Sequence, residues 1–597
     1  MIARLLRSLV YLLVLDLSVA PVCARHRSVS TPGGTTCNNA RNRGCWTDSI
    51  DINTDYEDLT PVTGRERTYT FVLTEVDNFI GGDGAVKKKA MLVNGQFPGP
   101  IINADWGDRI TITVVNRLQT NGTSVHWHGI RQLYSCTQDG TNGVTGCPIP
   151  PGGQKRYSFL ATQYGTAWYH SHFSAQYGNG VLGAIVINGP ASLNYDIDLG
   201  PLLIGDWYHM GVDAIVSRVN DPRNPYRENV PGSSPPSDNV LFNGLNVNTR
   251  GPGGDYHTVV LTKGAKHRLR LINHSVENTF TVSISGHSFW IIATDMVPVK
   301  PVRVDSVYMS IGQRYDIVIE ADQEVATYWI NATFSSAPCG SSRNSHPAAV
   351  VSYKGAAHKL PKDYGATPPD SLCADHLGFQ PVVQKIPPLD KFQGSPEEIL
   401  DVKLRVEDSI ARVFWPINNT PMNISWGQPT LRYVQSDKVF EMNAGENVIH
   451  VPGEETWAFW LIQNDSPIPH PMHLHGHDIL VLGSSDPLAK PREHSFRAYN
   501  PGSDKGRLNG FNPTRRDTTV LPAYGWSVVA FHTNNPGAWV FHCHVAWHVS
   551  QGMSIQFLEQ ESKIPEVMKL EDIDENCNAW NDWYPMKAPF QQDELGL

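Results

Sequence analysis

Residues 536–557 (PGAWVFHCHVAWHVSQGMSIQF) align almost directly with residues 165–187 (GTAWYHSHFSAQYGNGVLGAIVI). A shorter copy of the pattern, ATYWINATF, lies at residues 326–334 and lacks the histidines. The first copy also has Ser171 where the last copy has Cys543. Internal repetition of this kind indicates one fold that is used three times, with its chemistry retained in only some of the copies.

Three longer stretches upstream of these copies share a second pattern. Residues 93–118, 241–274 and 439–465 each contain a strand with alternating apolar residues, a glycine turn, a second alternating strand and a turn with asparagine. Alternation with period two is typical of half-buried strands in sandwiches. We therefore predict an all-β chain of three consecutive, related β-sandwich domains.

The N-terminus has the features of a secretory signal peptide. An apolar run follows Arg4 and Arg7, is too short to span a membrane, and ends in small residues before position 25. We predict that the chain is secreted and extracellular. The predicted segments are a signal peptide at 1–24, an N-terminal extension at 25–65, the first domain at 66–193, the second at 194–378, and a linker, third domain and tail at 379–597, with a proline-rich connection near 361–396.

The composition argues against nucleic-acid binding and favours a strand-rich fold. The 48 Lys and Arg residues against 58 Asp and Glu residues leave a net charge of −10, so we expect no nucleic-acid partner. Fifty glycines and 43 prolines, with 18% charged residues, favour short strands and many turns.

Six tripeptides could carry glycans in an oxidising compartment, at Asn121, Asn273, Asn331, Asn418, Asn423 and Asn464.

Histidine pairs with one residue between them are the main chemical signal. On an extended strand, side chains at i and i+2 face the same way, so each pair forms a two-pronged clamp. Because these pairs fall in the first and third domains, we expect the metals that they hold to lie between those domains. Eight imidazoles come from four such pairs, His126/His128, His170/His172, His473/His475 and His542/His544.

Cys543 identifies the metal, since imidazole alone suits copper, zinc, iron or nickel. Its side chain should point away from the face that His542 and His544 share, and so toward a different metal. Two histidines, a cysteine thiolate and a weak axial methionine form the blue-copper ligand set, for which His470, His548 and Met553 are the candidates. Zinc prefers a tetrahedral set without so weak a fourth ligand. We therefore predict one blue copper joined through the backbone of Cys543 to a cluster of three coppers that reduces dioxygen to water.

The motifs HWHG (126–129), WYHSH (168–172), HPMHLHGH (470–477) and HCHVAWHVSQGM (542–553) resemble the copper motifs of the multicopper oxidases, and of ascomycete fungal laccases in particular. The resemblance covers nearly the whole mature chain, and it implies three cupredoxin-like (Greek-key β-sandwich) domains and phenols as electron donors. It implies four copper ions, one of type 1, one of type 2 and two of type 3. The implied ligands are His470, Cys543, His548 and Met553 for type 1, His126 and His473 for type 2, and His128, His170, His172, His475, His542 and His544 for type 3.

Two carboxylates resemble residues that move protons in this family. Asp139 would lie near the oxygen-reducing cluster, although an Asp-Gly pair is also an ordinary turn. Glu277 would accept the phenolic proton, with an unremarkable surface charge as the alternative. His477 falls outside the family's ligand set, and we expect it to be a packing residue.

Eight cysteines remain after the signal peptide, and the use of Cys543 as a ligand leaves seven, so one must be unpaired. The family resemblance implies the pairs Cys37/Cys45, Cys147/Cys577 and Cys339/Cys373. Cys136 would then be a free thiol or half of an intermolecular bridge.

Three features depart from the relatives. Met553 stands where fungal laccases commonly have Leu or Phe, and an axial thioether should lower the reduction potential of the type 1 copper. The chain ends in DELGL rather than DSGL, and RQLYSC at 131–136 is unlike the relatives, so contacts at either place cannot be transferred.

The predicted protein is a secreted laccase-like multicopper oxidase (benzenediol:oxygen oxidoreductase). It would take single electrons from phenols or aromatic amines and couple their oxidation to the four-electron reduction of dioxygen. The alternatives are an ascorbate oxidase or ferroxidase on the same scaffold, or a non-catalytic copper storage protein. We expect a monomer, with a dimer left open, and the biological setting stays open among lignin degradation, pigment formation and defence.

Overall fold

The computed structural model describes residues 27–30, 37–221, 234–407, 412–451, 453 and 455–588. The predicted signal peptide at 1–24 and the DELGL terminus lie outside the described residues. Three β-sandwiches follow one another along the described chain, and this confirms the prediction of an all-β fold built from three related units. The exact boundaries at 66, 194 and 379 stay predictions.

The first sandwich packs two four-stranded sheets, ordered β10-β8-β5-β6 and β7-β12-β11-β9, and is preceded by the short pairs β1-β4 and β2-β3. The long strand β5 alternates between exposed and covered positions over most of its length, as expected for a strand with one face toward solvent. The strands are β1 (Arg27–Ser30), β2 (Cys45–Thr47), β3 (Ile50–Asp51), β4 (Leu59–Val62), β5 (Glu66–Ile80), β6 (Val86–Val93), β7 (Ile102–Asp105), β8 (Arg109–Asn116), β9 (Val125–His128), β10 (Gln154–Leu160), β11 (Gly165–Ser171) and β12 (Leu182–Asn188).

The second sandwich pairs a six-stranded sheet, ordered β14-β13-β16-β21-β18-β19, with a five-stranded sheet, ordered β15-β23-β22-β17-β20. Its strands are β13 (Ile197–Trp207), β14 (Asn239–Phe242), β15 (Thr258–Leu261), β16 (Lys266–Asn273), β17 (Phe280–Ile284), β18 (Phe289–Thr294), β19 (Val297–Val304), β20 (Ser306–Met309), β21 (Arg314–Glu320), β22 (Thr327–Thr333) and β23 (Ala348–Tyr353).

The third sandwich has two five-stranded sheets, ordered β24-β28-β33-β30-β31 and β27-β35-β34-β29-β32, and a separate hairpin β25-β26. Its strands are β24 (Ile399–Lys403), β25 (Arg405–Glu407), β26 (Arg412–Phe414), β27 (Val448–Val451), β28 (Trp457–Asp465), β29 (His470–Leu474), β30 (Ile479–Ser484), β31 (Thr514–Arg516), β32 (Thr518–Leu521), β33 (Trp526–His532), β34 (Gly537–Cys543) and β35 (Ser554–Glu559).

Short helices connect or close the sandwiches. They are α1 (Val212–Asn220), α2 (Thr430–Gln435), α3 (Pro501–Asp504), α4 (Ala546–Ser550), α5 (Ile564–Val567) and α6 (Asp574–Lys587), and short 3-10 turns lie between several elements. One prediction is wrong here. The third repeat was expected to open with a strand from residue 439, but Val439–Glu441 and Ala444–Glu446 are 3-10 turns, and the first strand of this stretch is β27. Asn443 accepts the backbone N–H of Gly445 through its side chain, a local bond that favours a turn over a strand.

The core of the third sandwich continues into the other two. A single apolar cluster contains Trp168 from the first unit, Val276 from the second and Trp547 from the third, and each is at most 1% exposed. Burial of this much aromatic and aliphatic surface stabilises the docked arrangement. The three units therefore hold the ends of β9, β11, β29 and β34 against one another.

Cysteine and asparagine positions test two further expectations. The implied disulfides Cys37–Cys45, Cys147–Cys577 and Cys339–Cys373 are all present, and Cys136 is a buried free thiol. Its burial favours the free thiol over an intermolecular bridge. Two of the six glycan tripeptides are wrong as sites in the folded chain, because Asn273 and Asn464 are fully buried and their amide groups donate to backbone carbonyls.

Candidate metal centres

Two antiparallel strand pairs bring the histidine clamps together. In the first sandwich, β9 pairs with β11 so that His126 lies opposite His170. In the third, β29 pairs with β34 so that His473 lies opposite His542. Residues directly opposite one another have their side chains on the same face of the sheet, so each sandwich presents four imidazoles in one patch.

The two patches face each other across the interface, as the sequence predicts. The rings of His126 and His475 stack with centroids 3.8 Å apart, and those of His128 and His473 stack at the same separation. All eight rings are at most 5% exposed. This arrangement exists only when the first and third sandwiches are docked.

Three of the four clamps divide their two rings between different groups. The imidazole nitrogens within 4.8 Å of one another form three groups; His126 and His128 share one of them, and His128 also belongs to a second. The groups are His126, His128 and His473; His128, His170 and His544; and His172, His475 and His542.

A fourth group lies on the other face of β34. Cys543 Sγ is 3.7 Å from His470 Nδ1 and 3.6 Å from His548 Nδ1. The thiol points away from its two neighbours for the reason expected of a strand, since successive side chains alternate. Met553 is fully buried in the same cluster, and its carbonyl accepts the backbone N–H of Cys543 at 3.1 Å.

Burial keeps these histidines neutral, which is the form that can bind a metal cation. Removal from water lowers the pKa of His172 and of His548 to about 3, and the neighbouring His126 adds to the effect on His172. The same cause holds the pKa of His470 and of His542 well below the usual range. Neutral imidazoles have a free lone pair for a metal. Burial raises the pKa of the Cys543 thiol, so a bound cation is needed to stabilise the thiolate.

The unsatisfied nitrogens of these rings show that the residues fit a metal cluster. Buried polar atoms without a partner are costly, and they are rare in folded proteins. Five histidines of the two facing patches each have such an atom, namely His126 Nε2, His170 Nε2, His172 Nδ1, His473 Nε2 and His544 Nδ1. Together with the Cys543 group, this donor set suits one blue copper and a copper cluster.

Two buried aspartates contact different rings of the cluster. Asp139 Oδ1 lies 3.2 Å from His126 Nδ1, and its Oδ2 lies 2.9 Å from His475 Nδ1. Burial alone would raise the pKa of Asp139, but His475 and His126 hold it well below its usual range. The Asp-Gly pair does form a turn, with Gly140 at a φ of +84°, and the Asp139 side chain contacts two rings of the histidine cluster. Sequence reasoning missed Asp517, whose Oδ1 lies 3.2 Å from His128 Nε2 and whose carbonyl lies 3.0 Å from His473 Nδ1. In the sequence, Asp517 is marked by its place in the stretch RRDTT (515–519), which resembles fungal laccases.

Glu277 lies beside the Cys543 group in a setting unlike that of a surface charge. Its side chain interacts with Trp547, the residue before His548, and its Oε2 is buried without a partner. Burial, together with the nearby charge of Asp206, raises the pKa of Glu277 to about 7. A carboxylate with such a pKa can accept a proton near neutral pH.

A cleft reaches the facing histidine patches from the surface. Ser174, Tyr177 and Val549 line it, and it ends on four of the rings, those of His170, His172, His542 and His544.

His477 is not in any of the ligand groups. It packs on Phe531, and its Nε2 lies 2.9 Å from Glu559 Oε2, in agreement with a packing role.

Comparison with known proteins agrees with this geometry. Three models of the multicopper oxidase family match residues 79–192, 198–356 and 416–563. The chain is 48% identical to a laccase of Neurospora crassa over 570 residues, which cover 94% of this chain and 89% of that protein. It is also 48% identical to laccase-1 of Melanocarpus albomyces, over 95% of this chain and 90% of the relative.

Solved structures show the same likeness. The laccase from Botrytis aclada superposes with a TM-score of 0.83 at 34% identity, covering 94% of this chain and all of that one. Fet3p, a multicopper oxidase that functions in iron import, superposes at 0.76 with 23% identity, over 87% of this chain and 95% of that one, and shows the shared fold. Among the described residues, no helix is both long enough and apolar enough to cross a bilayer. The family models and the near full-length likeness to laccases show that the chain belongs to the multicopper oxidase family, as a laccase-like oxidoreductase that uses four copper ions.

Proposed function

We propose that this protein oxidises phenols or aromatic amines one electron at a time beside His548 and reduces dioxygen to water between the first and third sandwiches. The observation that carries the proposal is the position of Cys543. Its thiol belongs to one ligand group, while the adjacent residues His542 and His544 belong to two others. Peptide bonds therefore connect the donor-oxidising group directly to the oxygen-reducing groups.

The residue assignments combine the four groups with the family resemblance, which gives His128, a member of two groups, to the type 3 pair. His470, Cys543, His548 and Met553 would hold the type 1 copper. When bound, the four coppers would accept single electrons from donors and supply the four that convert dioxygen into two waters. His126 and His473 would hold the type 2 copper, and the type 3 pair would be held by His128, His170, His172, His475, His542 and His544.

The carboxylates of the chain manage protons and orientation. A phenol that loses one electron also loses its proton, and Glu277 would accept that proton beside Trp547. Asp139 would keep His126 and His475 in one tautomer through their Nδ1 atoms, and would pass protons toward the oxygen-reducing site. The cleft that ends on four histidine rings would admit dioxygen.

The finer properties belong to the same proposal. We propose secretion to the extracellular space, because a signal-peptide pattern precedes the described residues and the related proteins are laccases. A ferroxidase would need an acidic iron site near His548. Glu277 is an acidic side chain beside Trp547, but both oxygens of the neighbouring Asp206 already accept backbone N–H groups. This arrangement and the 48% identity to laccases favour a phenol oxidase over a ferroxidase.

Oxygen uptake with a panel of donors tests the proposal. The purified chain should consume dioxygen faster with a methoxyphenol than with ferrous iron or ascorbate, and Cys543→Ser should abolish uptake together with the blue colour. Cys136→Ser is the matched control, because this buried thiol lies outside the ligand groups. A wild-type protein that binds copper yet consumes no dioxygen with any donor would be a storage protein and would contradict the proposal. Faster turnover of ascorbate or of ferrous iron would replace the phenol assignment.

A further inference from the structure

A short loop between β16 and β17 carries Glu277 past the donor-oxidising group. A neighbouring carboxylate anchors this loop at three consecutive residues. Asp206 Oδ1 accepts the backbone N–H of Val276 at 2.9 Å, and its Oδ2 accepts those of Glu277 at 2.9 Å and Asn278 at 3.0 Å. Asp206 is 7% exposed, near the end of β13.

Asp206 also donates a hydrogen bond to the same loop. The backbone N–H of Asp206 donates to Ser275 Oγ at 3.1 Å, in the same loop. Asn273 supports the loop from its start, donating from Nδ2 to the carbonyl of Asn278 at 3.0 Å. The backbone on both sides of Glu277 is thus held to β13 and β16, which are adjacent strands of one sheet.

The same loop contacts the elements that carry the ligands. The carbonyl of Val276 accepts the backbone N–H of Ala546 at 3.0 Å, and Ala546 is the first residue of α4, which contains His548. Tyr177 Oη lies 3.3 Å from the carbonyl of Ser275 and 3.4 Å from that of His544. A displacement of the loop would therefore move the Glu277 carboxylate relative to His548.

A carboxylate suits this place better than any other side chain of its size. Three N–H donors converge on two oxygens, and an ionised carboxylate offers acceptor sites without a donor of its own. An amide would direct its NH2 group at one or two of the backbone N–H groups. Hydrogen bonds to a charged acceptor are also the stronger kind.

We propose that Asp206 is a positioning residue that fixes the Glu277 carboxylate beside the donor-oxidising site, and thereby sets the preference for donors that must lose a proton. The inference rests on the proposed role of Glu277 as proton acceptor. In the step concerned, the phenolic O–H bond breaks, its proton goes to the Glu277 carboxylate, and one electron leaves the ring for the oxidising site. A donor without an ionisable proton, such as hexacyanoferrate(II), gives the electron alone.

The test compares these two donors in the copper-loaded full chain. The readout is kcat/KM for a methoxyphenol divided by kcat/KM for hexacyanoferrate(II), with copper content and blue absorption recorded for each variant. Glu277→Gln should lower the ratio about 100-fold, the lower limit for loss of a general base. Asp206→Asn should lower it about tenfold or more, since small misplacements of a reacting group are costly. Asp206→Glu keeps the charge but moves the oxygens, and should give an intermediate ratio.

Asp108→Asn is the matched control, because Asp108 is a buried carboxylate of the first sandwich that also accepts a backbone N–H, from Asp105. Its ratio should equal that of the wild type. If Glu277→Gln lowers the ratio while Asp206→Asn stays within twofold of wild type, the positioning role is overturned. If Glu277→Gln leaves the ratio unchanged, the proposed proton acceptor itself is wrong. If Asp206→Asn does not bind copper, the Asp206→Glu variant is used instead. A wild-type donor ratio in Asp206→Glu overturns the inference.

Discussion

Replacement of Arg314 by leucine should destabilise the chain more than the loss of any single exposed charge. Arg314 is fully buried at the start of β21 and donates from Nη1 and Nη2 to the two oxygens of Asp517 at 2.7 and 2.6 Å. It also donates from Nε to the carbonyl of Thr166 at 3.0 Å. One guanidinium therefore joins the second sandwich to both of the others.

The magnitude follows from what the substitution leaves behind. Asp517 is only 2% exposed, so Arg314→Leu strands a buried carboxylate and an unpaired carbonyl. Removal of one partner from a buried ion pair typically costs about 3–5 kcal/mol. Asp517 also contacts His128. When a residue that hydrogen-bonds to a metal ligand is displaced, the affinity for the metal commonly falls about 10–100-fold. We expect losses of both stability and copper.

Urea unfolding followed by tryptophan fluorescence measures the first loss, and copper titration measures the second. Lys438→Leu is the control, because Lys438 and Glu441 form an exposed pair whose loss should cost at most about 1 kcal/mol. Arg314→Lys should be intermediate, since a lysine keeps the charge but cannot form the two-pronged contact. If Arg314→Leu changes the free energy of unfolding by no more than the control does, the reasoning from buried charge is refuted.

Four further predictions concern the metal sites and the fold. Met553→Leu should raise the reduction potential of the type 1 copper, measured by redox titration, and an unchanged potential would show that the thioether is not a ligand. Phenol oxidation should gain rate as the pH rises toward 7, because burial raises the pKa of Glu277 to about 7 and only the ionised form accepts a proton. Glu277→Gln should flatten that rise, and a rise that persists in this variant would show that another group causes the pH dependence. Loss of the Cys147–Cys577 bridge, which links residues 430 apart, should cost about 2–5 kcal/mol in urea unfolding, whereas an unchanged midpoint would deny it a stabilising role. Removal of copper by a chelator should lower the thermal midpoint, because the metal binds the native ligand set, and calorimetry of both forms would detect a failure of this expectation.

Most of the chemistry was predictable from short-range pattern. The pairs with one intervening residue indicated metal ligands, and Cys543 with His548 indicated a blue copper. The third repeat was predicted less well, because the local bond of Asn443 forms a turn where alternation suggested a strand. The glycan motif at Asn273 was misleading, since a tripeptide carries no information about burial.

Contacts between distant segments could not be read in the same way. Asp206 meets the loop of Glu277, and Arg314 meets Asp517, across about 70 and 200 residues of sequence. No local periodicity marks such partners, because their proximity depends on strand order and on how the sandwiches dock. The roles of Asp206 and Arg314 could therefore be identified only in the folded structure.

The alternation of side chains along a strand is a property of the extended backbone, so the sequence by itself determined that Cys543 points away from His542 and His544. The grouping of the rings was different. His126 stacks on His475, and three of the four clamps divide between two groups, only because two sandwiches dock face to face. The tertiary structure decided that arrangement, since packing between distant surfaces, and not local backbone geometry, sets which imidazoles share a metal.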